Sequence, residues 1–346
     1  MPIPMKRPPS LRSLAAGLVL FAAALLSGCA GDADIVLYCA QDQVHAEPLI
    51  REFEARTGLK VRAEYDIEAH KTVGLVRRIR TEQARPRCDV FWNNEIAHTI
   101  SLANDGLLAT YDSPNAADIP ETFRDPERRW TGFAARARVF IVSNPLMHSR
   151  QIPSTMWDLV DPNWKGDCGM ARPLTGTTLT HITALYSVIG EERTREYLRG
   201  IKANEVNLTS GNATLMRQVR EGQFAWGWTD TDDYWVAKQA GADVDVVFPD
   251  AEDDQIGTLF IPNTVCILKD APHPDAAKQL VDYLLSAEVE ERLAHSRSAQ
   301  IPLHGSLQDM QHPLPIEKMK AMEIDYAELG EQIDARHAEL KEFFLD

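Results

Sequence analysis

A chain of 346 residues is long enough for roughly two domains, and 44% hydrophobic residues supply a packed core for each. Charged residues at 25% and aromatics at 8% match a globular protein and exclude global disorder. A net charge of −15 excludes nucleic-acid binding through a basic face, and 5 cysteines are too few for a disulfide scaffold.

The first 28 residues carry Lys6, Arg7 and Arg12 but no acid, and then an apolar run from Leu14 to Leu26. This is the pattern of a secretory signal, too short for a membrane span of ~20 apolar residues. Leu26-Ser27-Gly28-Cys29 resembles the bacterial lipobox, which implies cleavage before Cys29 and lipidation of its thiol. The protein is therefore expected to work in the periplasm or its equivalent, membrane-anchored as a lipoprotein. Cys39, Cys88, Cys168 and Cys266 then lie where disulfides are permitted. Each sits in or beside an apolar run, so buried thiols and bridges both remain open, and no pair has zinc-ligand spacing.

Strand and helix patterns alternate from residue 35 onward. Ile35–Cys39 reads as a buried strand, 45–57 as a helix stopped by Gly58, and Lys60–Tyr65 as a second strand. A helix over 69–84, a strand over Asp89–Trp92 and a helix over 95–107 continue the series. Such alternation implies parallel strands joined by right-handed crossovers. After a polar, Pro-rich loop at 110–131, residues 133–143 (FAARARVFIVS) read as a long strand. A second block follows: a strand at Asp167–Ala171, helices at 177–189 and 191–200, a strand at Glu205–Leu208, a helix at 212–221 and a strand at Phe224–Trp228. The apolar stretch 256–268, helices at 274–286 and 287–295, and a charged helix near 316–342 complete the chain. The two long apolar stretches predict a pair of crossings between two α/β lobes, with a cleft that closes on a ligand.

Ligands of open parallel sheets meet the loops beyond the strand carboxyl ends. That rule selects Gln41, Asp42 and Gln43 after the first strand, Asp66, Glu68 and His70 after the second, and Asn93, Asn94 and Glu95 after the third. In the second block it selects Thr175, Gly176, Thr177 and Thr178 at a helix start, either an anion site or an ordinary threonine cap. Asn212 carries the same two readings. Thr229-Asp230-Thr231-Asp232-Asp233-Tyr234 is the densest polar cluster. It either binds a cation, amine or polyol, or caps the helix beginning near Asp233. No G-x-S-x-G, P-loop or H-E-x-x-H motif is present, so the chain is not expected to be an enzyme. His181 reads as a structural histidine, and His98 and His295 as packing or surface residues.

The segments IVLYCAQD, LIREFEARTGLKV, CDVFWNNE, DPNWKG, ARPLTGTTLTH, ANEVNLTSGNATLMRQVREG and GWTDTDDYW, in this order and spacing, resemble extracellular solute-binding proteins of bacterial ABC importers. The likeness is to the group that contains the periplasmic ferric-ion-binding proteins. It implies a type II, two-lobed α/β fold with a two-strand hinge, with residues 33–135 and 265–346 in one lobe and 136–264 in the other. It also implies a monomer that delivers its ligand to a membrane permease. By register, the family's metal-ligand positions fall on Asp42, Asn94, Asp233 and Tyr234, with Glu95 one residue late. The resemblance thus implies Fe(III) held by Asp42, Glu95, Asp233 and Tyr234, hard oxygen donors for a hard cation. Tyr234 would bind as a phenolate, coloured by charge transfer. Thr175, Gly176, Thr177 and Asn212 resemble the family's site for a synergistic anion. The alternatives are a phosphonate, polyol or polyamine as the solute or, outside the class, a secreted hydrolase using Asp230 or Asp233.

Overall fold

Ile35–Cys39 is buried along its whole length, as a parallel strand covered on both faces should be. In the computed structural model, which describes residues 33–66, 72–148 and 150–345, this strand (β1) lies between two parallel neighbours. They are β2 (Val61–Tyr65) and β3 (Val90–Asn93). The crossover helices are α1 (Gln43–Thr57) and α2 (Val73–Thr81), and α3 (Ala97–Asn104) follows β3. The expected leader with Cys29, and the loop residues Glu68 and His70, lie outside the described residues.

β4 (Thr131–Ser143) joins the two lobes, after which α4 (Asn144–Met147) turns the chain. Residues Thr131–Ala137 pair with β9 (Phe260–Ile267), which also pairs with β3 in the first lobe. Arg138–Val142 pair instead with β7 (Trp226–Asp230), in the second lobe. There β7 is parallel to β5 (Cys168–Ala171), β5 is parallel to β6 (Asn207–Thr209), and β8 (Val244–Val247) pairs with the end of β4. The strand order β2-β1-β3-β9-β4-β7-β5-β6 therefore runs from lobe to lobe through β4. A bulge at Phe133–Ala135 interrupts the register with β9. Beyond it Arg136 and Arg138, two residues apart, share one face of the strand.

The second lobe's helices are α5 (Gly176–Val188), α6 (Glu191–Ala203), α7 (Asn212–Arg220) and α8 (Thr231–Gln239). α7 sits low on the sheet because Gly169 and Gly227, register partners on β5 and β7, present no side chain. A Cβ on Gly227 would stand 2.7 Å from Leu215, and one on Gly169 2.9 Å from it. This close approach brings Asn212, at the start of α7, to the strand ends. The chain finishes with α9 (Pro274–Leu284), α10 (Ala287–His295) and α11 (Tyr326–Leu345).

The two-lobed α/β architecture agrees with the sequence reading, and several local assignments change. Within the stretch 256–268, the strand β9 begins at Phe260 and pairs antiparallel with β4 and with β3. The last helix starts at Tyr326, ten residues later than expected, after the short turn Ile316–Lys318. β8 has no counterpart among the expected strands. Cys88, Cys168 and Cys266 are buried free thiols, and Cys39 is buried as well.

The connection between β8 and β9 holds Asp250, 3% exposed, with φ 56. Its Oδ2 accepts from the Met156 amide at 3.0 Å, yet burial outweighs that bond and raises its pKa from 3.8 to about 6. The unfolded side chain ionises first as pH rises, so folding loses stability between about pH 4 and 6 and the full penalty persists above. Asp250→Asn keeps an acceptor and tolerates the positive φ. Denaturant unfolding should show this variant about 1–3 kcal/mol more stable at pH 8, with the gain vanishing near pH 4. A gain independent of pH, or a loss at pH 8, contradicts the assignment.

Candidate functional site

Three helices start at one place. α5, α7 and α8 begin just beyond the carboxyl ends of β5, β6 and β7, and among the described residues none has a side-chain hydrogen bond from its N-cap residue. Their first-turn N–H groups and dipoles therefore favour negative charge there. Gly176, with φ 56, makes the left-handed turn that opens α5, and Thr175 and Thr177 flank it. A cavity of about 40 Å³ lies at this point, lined from the second lobe by Thr175, Gly176, Thr177, Thr178, Asn212, Asp230, Asp232 and Asp233. The first lobe contributes Asp42 and Asn94, and β4 contributes Arg136. A water occupies roughly 10–15 Å³ on this scale, so the enclosed part of the cavity admits one compact polar group, and the cavity is partly open to solvent.

Asp230 organises the floor. Its Oδ1 accepts from Arg138 Nη1 at 2.6 Å, and its Oδ2 from Thr177 Oγ1 at 2.7 Å and Asn212 Nδ2 at 3.0 Å. Both Asp230 and Arg138 are buried. Burial alone would raise the Asp230 pKa, but Arg138, Arg136 and the Thr177 hydroxyl hold it below its ordinary value. Asp230 is thus held as an anion whose two oxygens are engaged by Arg138, Thr177 and Asn212.

Arg136 is the cation of the cavity wall. Its Nη1 stands 3.7 Å from carboxylate oxygens of both Asp230 and Asp232, and its Nη2 donates to the Asn94 carbonyl in the first lobe. Among the described residues its Nε has no hydrogen-bond partner. Burial works against its charge, but Asp232, Asp230, Asp42 and Asp233 together keep its pKa raised. The site is thus mixed in sign, with a guanidinium and three helix N-termini beside a group of aspartates. Oxygens of Asp230, Asp232 and Asp233 lie within 4.8 Å of one another.

Two expected ligands lie elsewhere. Glu95 is fully buried, and its oxygens accept from the Ala97 and His98 amides at 2.8 and 3.0 Å and from Asn93 Nδ2 at 2.9 Å. His98, buried rather than at a helix surface, places its ring Nδ1 3.0 Å from the same carboxylate. Burial would raise the Glu95 pKa, but the His98 charge and these bonds lower it. Glu95 closes the N-terminus of α3 instead of facing the cavity. It also accepts from Thr180 Oγ1 at 2.9 Å, a bond from one lobe to the other that marks a closed cleft.

Tyr234 is the second correction. α8 starts at Thr231, and each residue turns about 100° around the helix. Asp232 and Asp233 line the cavity, while Tyr234 is buried in the hydrophobic core. Burial, with Asp245 adding, raises its phenol above the ordinary value. Asp42, Asn94, Thr175, Gly176, Thr177, Asn212 and Asp233 are brought together as lining residues. Arg136 and Arg138 were missed, although two arginines spaced i,i+2 within an apolar strand are a legible signal of a buried polar face. His181 is buried edge-on to Trp228, its pKa pushed well below the ordinary value by burial and Arg138.

The family described as bacterial extracellular solute-binding protein matches residues 97–328. The major ferric iron-binding protein of Neisseria meningitidis is 24% identical over 321 residues, covering 90% of this chain and 94% of that protein. Among solved structures, the periplasmic binding protein AfuA of Actinobacillus pleuropneumoniae, with fructose-6-phosphate bound, superposes with a TM-score of 0.80 at 23% identity, over 91% of this chain and 99% of that one. Iron-bound HitA of Pseudomonas aeruginosa gives 0.79 at 24% identity, over 88% and 98%.

Removing the Asp230 carboxylate strands Arg138 in the interior. Asp230→Ala should cost about 3–5 kcal/mol in denaturant unfolding, and Asp230→Leu combined with Arg138→Met should recover most of that loss. A single-variant cost near zero contradicts the pairing.

Proposed function

We propose that this chain, which belongs to the bacterial extracellular solute-binding protein family, captures a small organic phosphate or phosphonate that also carries hydroxyl or amine groups. It then delivers that solute to the permease of an ABC importer, working as a lipid-anchored monomer outside the cytoplasmic membrane. The phosphoryl or phosphonyl oxygens take the N–H groups at the starts of α5 and α7 together with Arg136. The hydroxyls or amine face Asp42, Asp232 and Asp233. Binding is passive: a ligand that touches both lobes favours the closed state and so holds the cleft shut. The carrying observation is Arg136 standing 3.7 Å from Asp230 and Asp232, in a cavity that three helix N-termini share. The fructose-6-phosphate bound by AfuA is a solute of this class.

Fe(III) with an accessory anion is the second reading, favoured by the clustered Asp230, Asp232 and Asp233 oxygens and by the iron-binding relatives. Against it stand the positive charge of Arg136 among those carboxylates and the loss of Glu95 and Tyr234 as donors. Iron held here would have carboxylate ligands only and no phenolate colour.

A thermal-shift panel separates the two readings. Glucose 6-phosphate, fructose 6-phosphate and 2-aminoethylphosphonate should include a stabilising ligand, worth about 2.7 kcal/mol at a hundredfold excess over its Kd. Asp233→Asn should weaken that ligand about tenfold or more, the loss of one charge-assisted hydrogen bond. Stabilisation by ferric citrate alone, with no response to any phosphate or phosphonate, overturns the organic reading.

A further inference from the structure

The sequence leaves the last helix as a polar, charged end to the chain, yet α11 buries Leu329, Ile333 and Leu340 and touches both lobes. Its first turns lie on the first lobe. A Cβ on Gly330 would stand 2.2 Å from Ile100 of α3, so the two helices approach closely. Four residues on, Asp334 accepts from Arg80 Nη2 at 2.6 Å and from Ser101 Oγ at 2.8 Å.

The later turns of α11 reach the second lobe. Glu339 accepts from Arg195 Nε at 2.8 Å and from the Tyr186 hydroxyl at 3.1 Å. The Arg336 guanidinium lies 3.9 Å over the Tyr186 ring, and Lys202 donates to the Phe343 carbonyl. These partners belong to α5 and α6. α3 and α5, the helices that α11 joins at a distance from the ligand, are the pair whose N-terminal ends lie at the Glu95–Thr180 bond across the cleft.

We propose that α11 is a strap that sets the closing equilibrium of the cleft. Close packing fastens its first half to one lobe, and the half-exposed polar set around Glu339 grips the other lobe in the closed position. Glu339 and Arg195 are positioning residues: they act on affinity through lobe geometry, without touching the ligand. Opening moves α5 and α6 away from α11 and breaks this set first, because exposed ion pairs yield more readily than interlocked helix faces. The inference rests on the two-lobed fold and the bonds across it, and is independent of the solute's identity.

The test needs no ligand. Small-angle scattering and hydrogen exchange compare the purified native protein with the double variant Arg195→Gln, Glu339→Gln and, separately, with Asp334→Asn. Both variants should have a larger radius of gyration. They should also show about threefold to tenfold faster amide exchange over 97–99 and 176–180, the shift expected from losing one or two weak ion pairs. A lower melting temperature with unchanged radius and unchanged exchange at those segments reduces α11 to a local stabiliser and overturns the proposal. Slower exchange or a smaller radius overturns it as well, making α11 a prop that holds the cleft open. Should the double variant fail to fold, Arg195→Gln alone, at a side chain 46% exposed, decides between the same outcomes.

Discussion

Everything at the cleft depends on one buried carboxylate between two arginines of a single strand. Asp230 ends β7, Arg136 and Arg138 project from the crossing strand β4, and Thr177 and Asn212 begin two helices. A charge withdrawn from water is tolerated only when its partners are held in place. The pairing therefore fixes the angle at which β4 enters the second lobe and the positions at which α5 and α7 start. Fold and site share this constraint.

The same arrangement underlies the ligand proposed for the cavity. With Asp230 engaged by Arg138, Thr177 and Asn212, the cavity faces a ligand with Arg136 and helix N-termini on one side and Asp42, Asp232 and Asp233 on another. A ligand of one sign meets repulsion from half of the wall, whereas one carrying an anionic group and hydroxyls or an amine meets complementary groups throughout. Relatives that bind iron and a relative that binds a sugar phosphate share this fold. The scaffold thus supports different solutes, and the side chains at the helix starts distinguish them.

Much of the fold was legible because parallel sheets write themselves plainly. IVLYC and CDVFW are continuous apolar runs, and the helices between them carry regular apolar stripes. The loop residues followed from the strand ends, which is why Asp42, Asn94, Thr175, Gly176, Thr177, Asn212 and Asp233 line one cavity. What failed was side-chain direction. Glu95 and Tyr234 lie beside residues that do face the cavity, but the helix starts at Ala97 and Thr231 rotate them elsewhere. A register taken from relatives does not carry that rotation. The arginines of β4 were legible in their i,i+2 spacing but passed over within an apolar strand, and the reach of α11 across two lobes depends on contacts far apart in sequence, which periodicity does not record.

Native mass spectrometry of protein purified without added ligand, before and after treatment with a chelator, tests the central claim most directly. The account predicts an organic adduct containing phosphorus that survives chelation and is lost on denaturation. An adduct with the mass of a single iron ion, removed by the chelator and leaving no organic species behind, would contradict it.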